Sequence, residues 1–446
     1  MYYAILAIQY IDKMKKELLK SLIILQKERF LSNKKIVTRE VLSKLYSFVN
    51  CGEVVFISGI RRGGKSTLMA LMAKELLAKQ DIKRENILFI NFEDERFINF
   101  AADDFDKLYQ TYLEVENPSG KKFFFFDEIQ NVEGWERWIN RLNEFEDVKI
   151  FITGSNASLI SSSISTSLTG RNRQIQNQTF SFKEYLSLLS IEAGDQDFYL
   201  PEKAAAIKRA FDNYLQLGGF PEVLKNNDIT LAEQYFKDII HRDVVSRYNI
   251  RNVKEIRELS LYLISNSGCL ASYESLRGTI HAKNASTIKN YLTILEDVYL
   301  IQPLSLYDFS IKKQIYNPNK YYVNDAGFYK AVGFRFSENT GRILETLVFQ
   351  QLLRQGLELY YWKSPKGNEV DFLTFSGNKP KQAIQVSYSL TEDNLGRELK
   401  ALSFIDERFG KVDKLILTYD EEKTLEAEAG TVRVMPVWKW SLECLE

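Results

Sequence analysis

Between residues 54 and 157 two hydrophobic periods take turns. Short β-branched and aromatic runs at Val54–Ser58, Ile87–Asn91, Lys122–Phe126 and Val148–Thr153 read as strands. Stretches of helical period separate them. Leu68, Leu71, Met72 and Leu76 share a face of Ser66–Gln80, and Trp135, Trp138, Ile139 and Leu142 recur at i, i+3, i+4 and i+7. Four successive phenylalanines, Phe123 to Phe126, leave no polar side, so that strand is expected to be buried on both faces. This alternation predicts an α/β fold with a parallel sheet covered by helices.

Residues 14–48 read as helices anchored by Leu18, Leu19, Ile23, Leu25 and Phe30. Residues 181–250 are mostly helical, broken at Leu217-Gly218-Gly219-Phe220-Pro221. Three helical stretches follow from 252 to 301. The last, Ser286–Glu296, starts at a Ser cap, turns Ile288, Tyr291, Leu292 and Leu295 inward and runs into a strand at Val298–Ile301. Three helices and then a strand suggest a winged helix. Further strands are expected near Lys320–Asn324, Leu359–Trp362, Glu369–Thr374, Ala383–Ser387 and Lys414–Thr418.

Composition narrows the class. With 45% hydrophobic residues, 29 Phe and 24 Tyr in 446 positions, the chain can bury real cores, which excludes a disordered or collagen-like protein. Its length predicts about three domains. Lys and Arg (59) balance Asp and Glu (59), so the whole molecule is no polyanion binder, although a local basic face is compatible with this sum. Residues 1–50 hold ten Lys/Arg against four acids and are one candidate for such a face. Three scattered cysteines form neither a zinc spacing nor a disulfide framework, and two histidines make His-based sites a poor expectation. A cytoplasmic location is expected, with no membrane span and no signal peptide. Residues 1–13 precede a more ordinary helical start at Met14.

The strongest chemical signal is Gly59-Ile60-Arg61-Arg62-Gly63-Gly64-Lys65-Ser66, followed by Thr67. It matches G-x-x-x-x-G-K-[ST] between a strand and a helix. Glycines let the backbone curl so that N–H groups face phosphates, and the helix N-terminus adds positive potential. Lys65 is expected at the β- and γ-phosphates of ATP, and Ser66 at Mg²⁺. About 60 residues on, the phenylalanine strand ends in Asp127-Glu128. Asp127 is expected to orient Mg²⁺, and Glu128 to polarise the attacking water. The next strand ends in Thr153-Gly154-Ser155-Asn156, where Thr153, Ser155 and Asn156 are all candidates to position that water.

GIRRGGKST, FFFFDEIQNVEGW, FITGSNASL, LTGR, FSFKEYL and LQLGGFPEVL occur in this order. The chain thereby resembles prokaryotic AAA-type P-loop ATPases with a C-terminal restriction-endonuclease-like domain, from about residue 30 onward. The resemblance implies an AAA+ core (51–180), a helical lid (181–250), a winged helix (251–305) and an endonuclease-like α/β domain (306–446), after an N-terminal helical segment (1–50). It implies an ATPase using ATP and Mg²⁺ and coupled to a DNA or protein partner, with homo-oligomers in view. A switch with little turnover and an active nuclease are the alternatives. It also implies an arginine at the γ-phosphate, from the same or a neighbouring subunit. Arg171 is the first candidate and Arg173 the next, with Arg242 and Arg247 on the lid side.

The expected winged helix holds six Lys/Arg against five acids, a weak excess for duplex DNA. Beyond it, Glu345 on a helix, Asp371 on a strand and Gln385-Val386-Ser387 on the next are similar to the endonuclease pattern of Glu, Asp and (E/Q)-x-K. There the acids hold Mg²⁺ and the lysine helps to activate water. Ser387 stands at the lysine position and cannot carry its charge. The domain is therefore expected to keep the fold with a vestigial site, Lys363 or Lys366 being candidates to replace the lysine.

Overall fold

The computed structural model describes residues 15–32, 36–79, 82–157, 170–333, 340–364, 366–427 and 430–443. The expectations for residues 1–13 and for Leu168-Thr169 of LTGR lie outside these. The chain divides into two compact units, Met1–Asn177 and Gln178–Glu446.

The first unit is built on five parallel strands, β1 (Val54–Ser58), β2 (Ile87–Asn91), β3 (Lys122–Asp127), β4 (Val148–Gly154) and β5 (Asn172–Gln176). Their order across the sheet is β2-β3-β4-β1-β5. The Phe123–Phe126 run is buried on both faces. Phe124 and Phe126 join one core cluster with Phe56 and Trp138, while Phe123 and Phe125 join the other with Phe151 and Leu68. Four aromatic residues at about 2 kcal/mol each contribute a large part of this sheet's burial energy. The strand β5 escaped the sequence reading because Asn-Arg-Gln-Ile-Gln is polar. It is an edge strand with only Ile175 buried.

The helix Lys16–Ser32 packs Leu19, Leu22 and Ile23 into the same core as Phe124 and Phe126. Its lysines are paired inside the unit. Lys27, 5% exposed, meets Glu116, Lys16 lies 2.7 Å from Glu114 and Lys20 2.9 Å from Glu17. Each of these three lysines is within reach of a carboxylate, while Lys15, Arg29 and Lys44 of the same segment are exposed.

The second unit holds two sheets. The smaller joins β6 (Leu270–Ala271), β7 (Ile301–Leu304) and β8 (Asn319–Val323) in the antiparallel order β6-β8-β7. The larger, of mixed direction, is ordered β13-β14-β12-β11-β10-β9, from β9 (Glu358–Lys363), β10 (Glu369–Ser376), β11 (Lys379–Val386), β12 (Asp413–Thr418), β13 (Lys423–Ala427) and β14 (Gly430–Pro436). Helices Thr340–Arg354 and Glu392–Phe409 pack on it.

Two local expectations are corrected. The helix Ala285–Asp297 is capped by Asn284, whose side chain accepts from Thr287 N–H, and not by Ser286. The strand after it starts at Ile301, since Tyr299 takes a left-handed turn at φ 57°. The break at Gly218-Gly219 has a tertiary cause. Buried Asp325 accepts from the N–H groups of Gly219 and Gly327, each at 2.9 Å, and a Cβ on Gly218 would lie 2.0 Å from its carboxylate.

Candidate functional site

The phosphate loop links the end of β1 to the helix Lys65–Lys79. Its shape depends on Gly59, at φ +141°, where a Cβ would stand 2.1 Å from the carbonyl oxygen of Asn177. Only glycine allows that approach. Asn177 N–H donates to Ser58 O at 2.7 Å and its side chain to Gly63 O at 2.8 Å. Asn177 thus staples both ends of the loop, and it was invisible in the sequence because it lies 114 residues from Gly63. Arg62 and Gly64 also take positive φ, and Arg61 pairs with Glu93 at 2.9 Å. Lys65 is buried and donates to the carbonyls of Gly59 and Ile60 at 3.0 and 3.2 Å.

At the same edge of the sheet the strand ends converge. Ser66 Oγ donates to Asp127 Oδ2 at 2.6 Å, and Thr153 Oγ1 donates to the other oxygen. Glu128 N–H donates to Thr153 Oγ1 at 3.0 Å. Glu128 sits in the left-handed region, at φ 51°, a conformation that costs about 1 kcal/mol or more outside glycine. Its Oε2 accepts from Ser155 Oγ at 3.2 Å and from Gln130, and its Oε1 lies 3.8 Å from Lys65 Nζ. Gln130 was not foreseen. Burial, and after it the charge of Glu128, pushes the Asp127 carboxyl up to about 6, against hydrogen bonds from Ser66 and Thr153 and the charge of Lys65. Asn156 is buried beside Ser155. A cavity of ≈280 Å³ adjoins Ser66 and Thr67, bounded also by Arg29, Asn91 and Asp94.

The donors fit a triphosphate with a hard divalent ion. Among the described residues no group of three or more His, Cys, Asp or Glu suits a metal. One hydroxyl and one carboxylate leave the remaining positions to phosphate and water, which is the arrangement Mg²⁺ favours.

Arg171 is placed elsewhere. Its carbonyl accepts from Val54 N–H at the start of β1, and its guanidinium lies 3.0 Å from Glu144. Arg173 pairs with Glu53 at 2.9 Å. Both lie at the edge where the parallel strands begin, about 15 Å of strand from the phosphate loop. A parallel strand carries Arg171 to the opposite edge of its own sheet, so of the two sources that the resemblance implies, the same subunit does not fit.

In the second unit Glu345, Asp371 and Gln385 do come together, around a residue that sequence reasoning missed. Lys320, on β8 and 3% exposed, holds its ammonium 3.1 Å from Glu345, 2.8 Å from Glu369 and 3.0 Å from Asp371. Its three donors meet three carboxylates. Tyr322 OH donates to Glu345 at 2.5 Å. Gln385 accepts from Asp371 N–H at 2.7 Å and donates to Glu369 O and Glu398 at 3.0 and 2.8 Å. Lys363 lies 3.3 Å from Glu369 and over the Tyr361 ring, and Lys366 lies over the Phe404 ring, while Lys320 is the lysine among the three carboxylates. Burial pushes Glu345 up to about 7, with Lys320 opposing. The clue in the sequence was a lone lysine heading the apolar strand Lys320-Tyr321-Tyr322-Val323.

No helix among the described residues is long and apolar enough to cross a membrane. Residues 52–186 match the family model described as an AAA domain. Residues 208–339 and 340–440 match two models each described as a domain of unknown function. An uncharacterized protein of Haemophilus influenzae is 29% identical over 92% of this chain and all of its own. Among solved structures, Aeropyrum pernix ORC1 in complex with DNA aligns with 74% of this chain and 98% of its own at 12% identity, with a TM-score of 0.29, too low to bear on function. The uncharacterized protein MJ1544 of Methanocaldococcus jannaschii is 34% identical over 96% of both chains, and the protein therefore belongs to the MJ1544 family, with an AAA domain matched over residues 52–186.

Proposed function

We propose that the first unit is an ATPase that binds Mg-ATP at Gly59–Thr67 and hydrolyses it to ADP and phosphate. One observation carries this reading: Ser66, Asp127, Thr153 and Glu128 meet at the edge of the sheet that holds the phosphate loop. The loop N–H groups and Lys65 bind the phosphates, Lys65 exchanging its two carbonyl partners for phosphate oxygens. Ser66 and Asp127 hold Mg²⁺, which when bound spreads the charge that develops on the phosphates. Glu128 takes the proton of the attacking water, its carboxylate steadied by Ser155 and Gln130. Thr153 ties Asp127 to the backbone of Glu128 and so sets one acid against the other. Any role of Arg171 at the phosphates is played across a boundary between copies.

The test is ATP binding and turnover. Lys65→Ala should lose affinity, and Glu128→Gln should bind ATP yet turn it over 10²–10⁴ times more slowly. Unchanged affinity in the first would sink the site, and unchanged turnover in the second would remove Glu128 from the base role.

A second reading concerns the partner. The run of helix Val253–Ser265, β6, helix Tyr273–Ile280, helix Ala285–Asp297, then the hairpin β7-β8 paired to β6, supports a winged helix. Around the helix Ala285–Asp297, the exposed Lys283, Asn284, Ser286, Lys289, Asn290 and Thr293 include no acid, which suits a contact to duplex DNA, although Glu258 and Glu274 are exposed elsewhere in the segment. The segment before it fits a lid, and the C-terminal sheet fits an endonuclease-like domain. That domain we read as inactive, because Lys320 takes up the carboxylates and Gln385 is committed to its neighbours. DNA cleavage in Mg²⁺ or Mn²⁺ that is lost in Asp371→Ala would overturn this reading.

A further inference from the structure

We propose that a groove in the second unit, between the loop after β7 and the β9–β10 side of the larger sheet, binds single-stranded nucleic acid. This proposal is independent of the ATPase site. The groove, of ≈640 Å³, is lined by four cations, Lys313, Lys363, Lys366 and Arg408, against two carboxylates, Asp308 and Glu407. Lys313 lies 3.7 Å from Asp308 and Lys363 3.3 Å from Glu369. Lys366 and Arg408 instead rest over rings, Lys366 5.3 Å from the centroid of Phe404 and Arg408 4.4 Å from that of Phe309. Phe309 is 63% exposed although it is large and apolar.

The segment that carries Phe309 is anchored beside the sheet, and Phe309 itself contacts the rings of Tyr307 and Phe409. Leu306 bridges to Tyr361 in parallel, and Tyr307 stacks on Phe375 at 4.6 Å. A surplus of positive charge beside exposed ring and guanidinium faces is complementary to a phosphate backbone with unpaired bases. Bases in a duplex are stacked on one another and cannot use such faces. An acidic polypeptide would satisfy the cations but leave Phe309 without a partner. Phe309 also has exposed neighbours of the same kind in Ile311, Ile315 and Tyr316, which would widen the contact.

The experiment uses the full chain without nucleotide and fluorescein-labelled dT12, U12 and a 12-base-pair duplex, read by anisotropy from 50 to 200 mM salt. Either single strand should bind, and any duplex binding, which the winged helix would supply, should be insensitive to Phe309→Ala. Phe309→Ala should weaken single-strand binding about 5- to 100-fold, and Phe309→Trp should restore it. Lys366→Glu with Arg408→Glu should abolish binding at the upper salt limit and flatten the salt slope by about 1.4. Lys225→Glu, an exposed cation of the second unit outside this groove and outside the winged helix, should leave it unchanged. All four side chains are exposed, and an unchanged melting temperature checks the fold. No binding of either single strand at 50 mM salt, duplex binding that falls with Phe309→Ala as far as single-strand binding does, insensitivity of single-strand binding to Phe309→Ala, or equal competition by poly-glutamate would each overturn the proposal.

Discussion

At Gly59 a single hydrogen in place of a methyl group decides whether the phosphate loop can close on Asn177. Gly59→Ala must move a backbone carbonyl and hold an unfavourable φ, so it should cost about 1–3 kcal/mol or more of first-unit stability. ATP affinity should fall with it, and a thermal melt read beside nucleotide binding checks both. Lys320 is the residue-scale counterpart in the second unit. Lys320→Met leaves three carboxylates facing one another without their cation, which should cost about 3–5 kcal/mol in urea unfolding. Adding Glu345→Gln and Asp371→Asn should return part of that loss. If Lys320→Met is neutral, the ammonium is no clasp.

Asp325 joins elements that the chain keeps apart. It ties the Gly218-Gly219 break to the turn at Gly327, and its burial raises the carboxyl to about 6, against hydrogen bonds from Thr179, Gly327 and Gly219 and the charge of Arg354. A carboxyl whose folded value lies above its unfolded one binds its proton more tightly in the folded state. This group's contribution to stability is therefore fully present below about pH 4 and is lost as pH rises to about 6, a change of roughly 3 kcal/mol. Asp325→Asn lacks that dependence. It should be less stable than the parent at pH 4, with the gap narrowing by pH 7, and urea unfolding across pH reads the difference. A constant gap would show that Asp325 does not titrate in this window. The elements themselves were largely legible. Strands β1 to β4 begin where their apolar runs begin, because burial on both faces leaves each run unbroken. Strands β5, β6, β13 and β14 and the Asn284 cap were missed, since short, edge or half-exposed strands need not form an apolar run and a cap depends on which hydroxyl or amide reaches the N–H groups.

For the whole molecule, nucleotide state and partner binding are the quantities to couple. With ATP held by Glu128→Gln, affinity for duplex DNA should differ from the nucleotide-free value by about 5- to 150-fold, the usual size of such coupling. No difference would leave the ATPase and the winged helix as separate functions. Arg171→Ala should bind ATP normally, since Arg171 stands at the far edge of its own sheet. If it acts on a neighbouring copy, turnover per molecule should rise with protein concentration in the parent and stay flat in the variant. Flat profiles in both would assign Arg171 to its surface pair with Glu144.

The sequence alone determined what short-range physics controls: a parallel α/β block, a phosphate loop between a strand and a helix, and two acids at a buried strand end. Each depends on residues a few positions apart, through backbone freedom at glycine or through one period of burial. It also brought Glu345, Asp371 and Gln385 into view as a set. Only the tertiary structure decided what stands among them. Lys320 lies 25 residues from Glu345 and 51 from Asp371, and no local pattern records that three carboxylates meet one ammonium. The same holds for Asn177 against the phosphate loop and for Arg171 at the wrong edge of the sheet. Strand order and direction place those side chains, and both follow from packing over the whole unit.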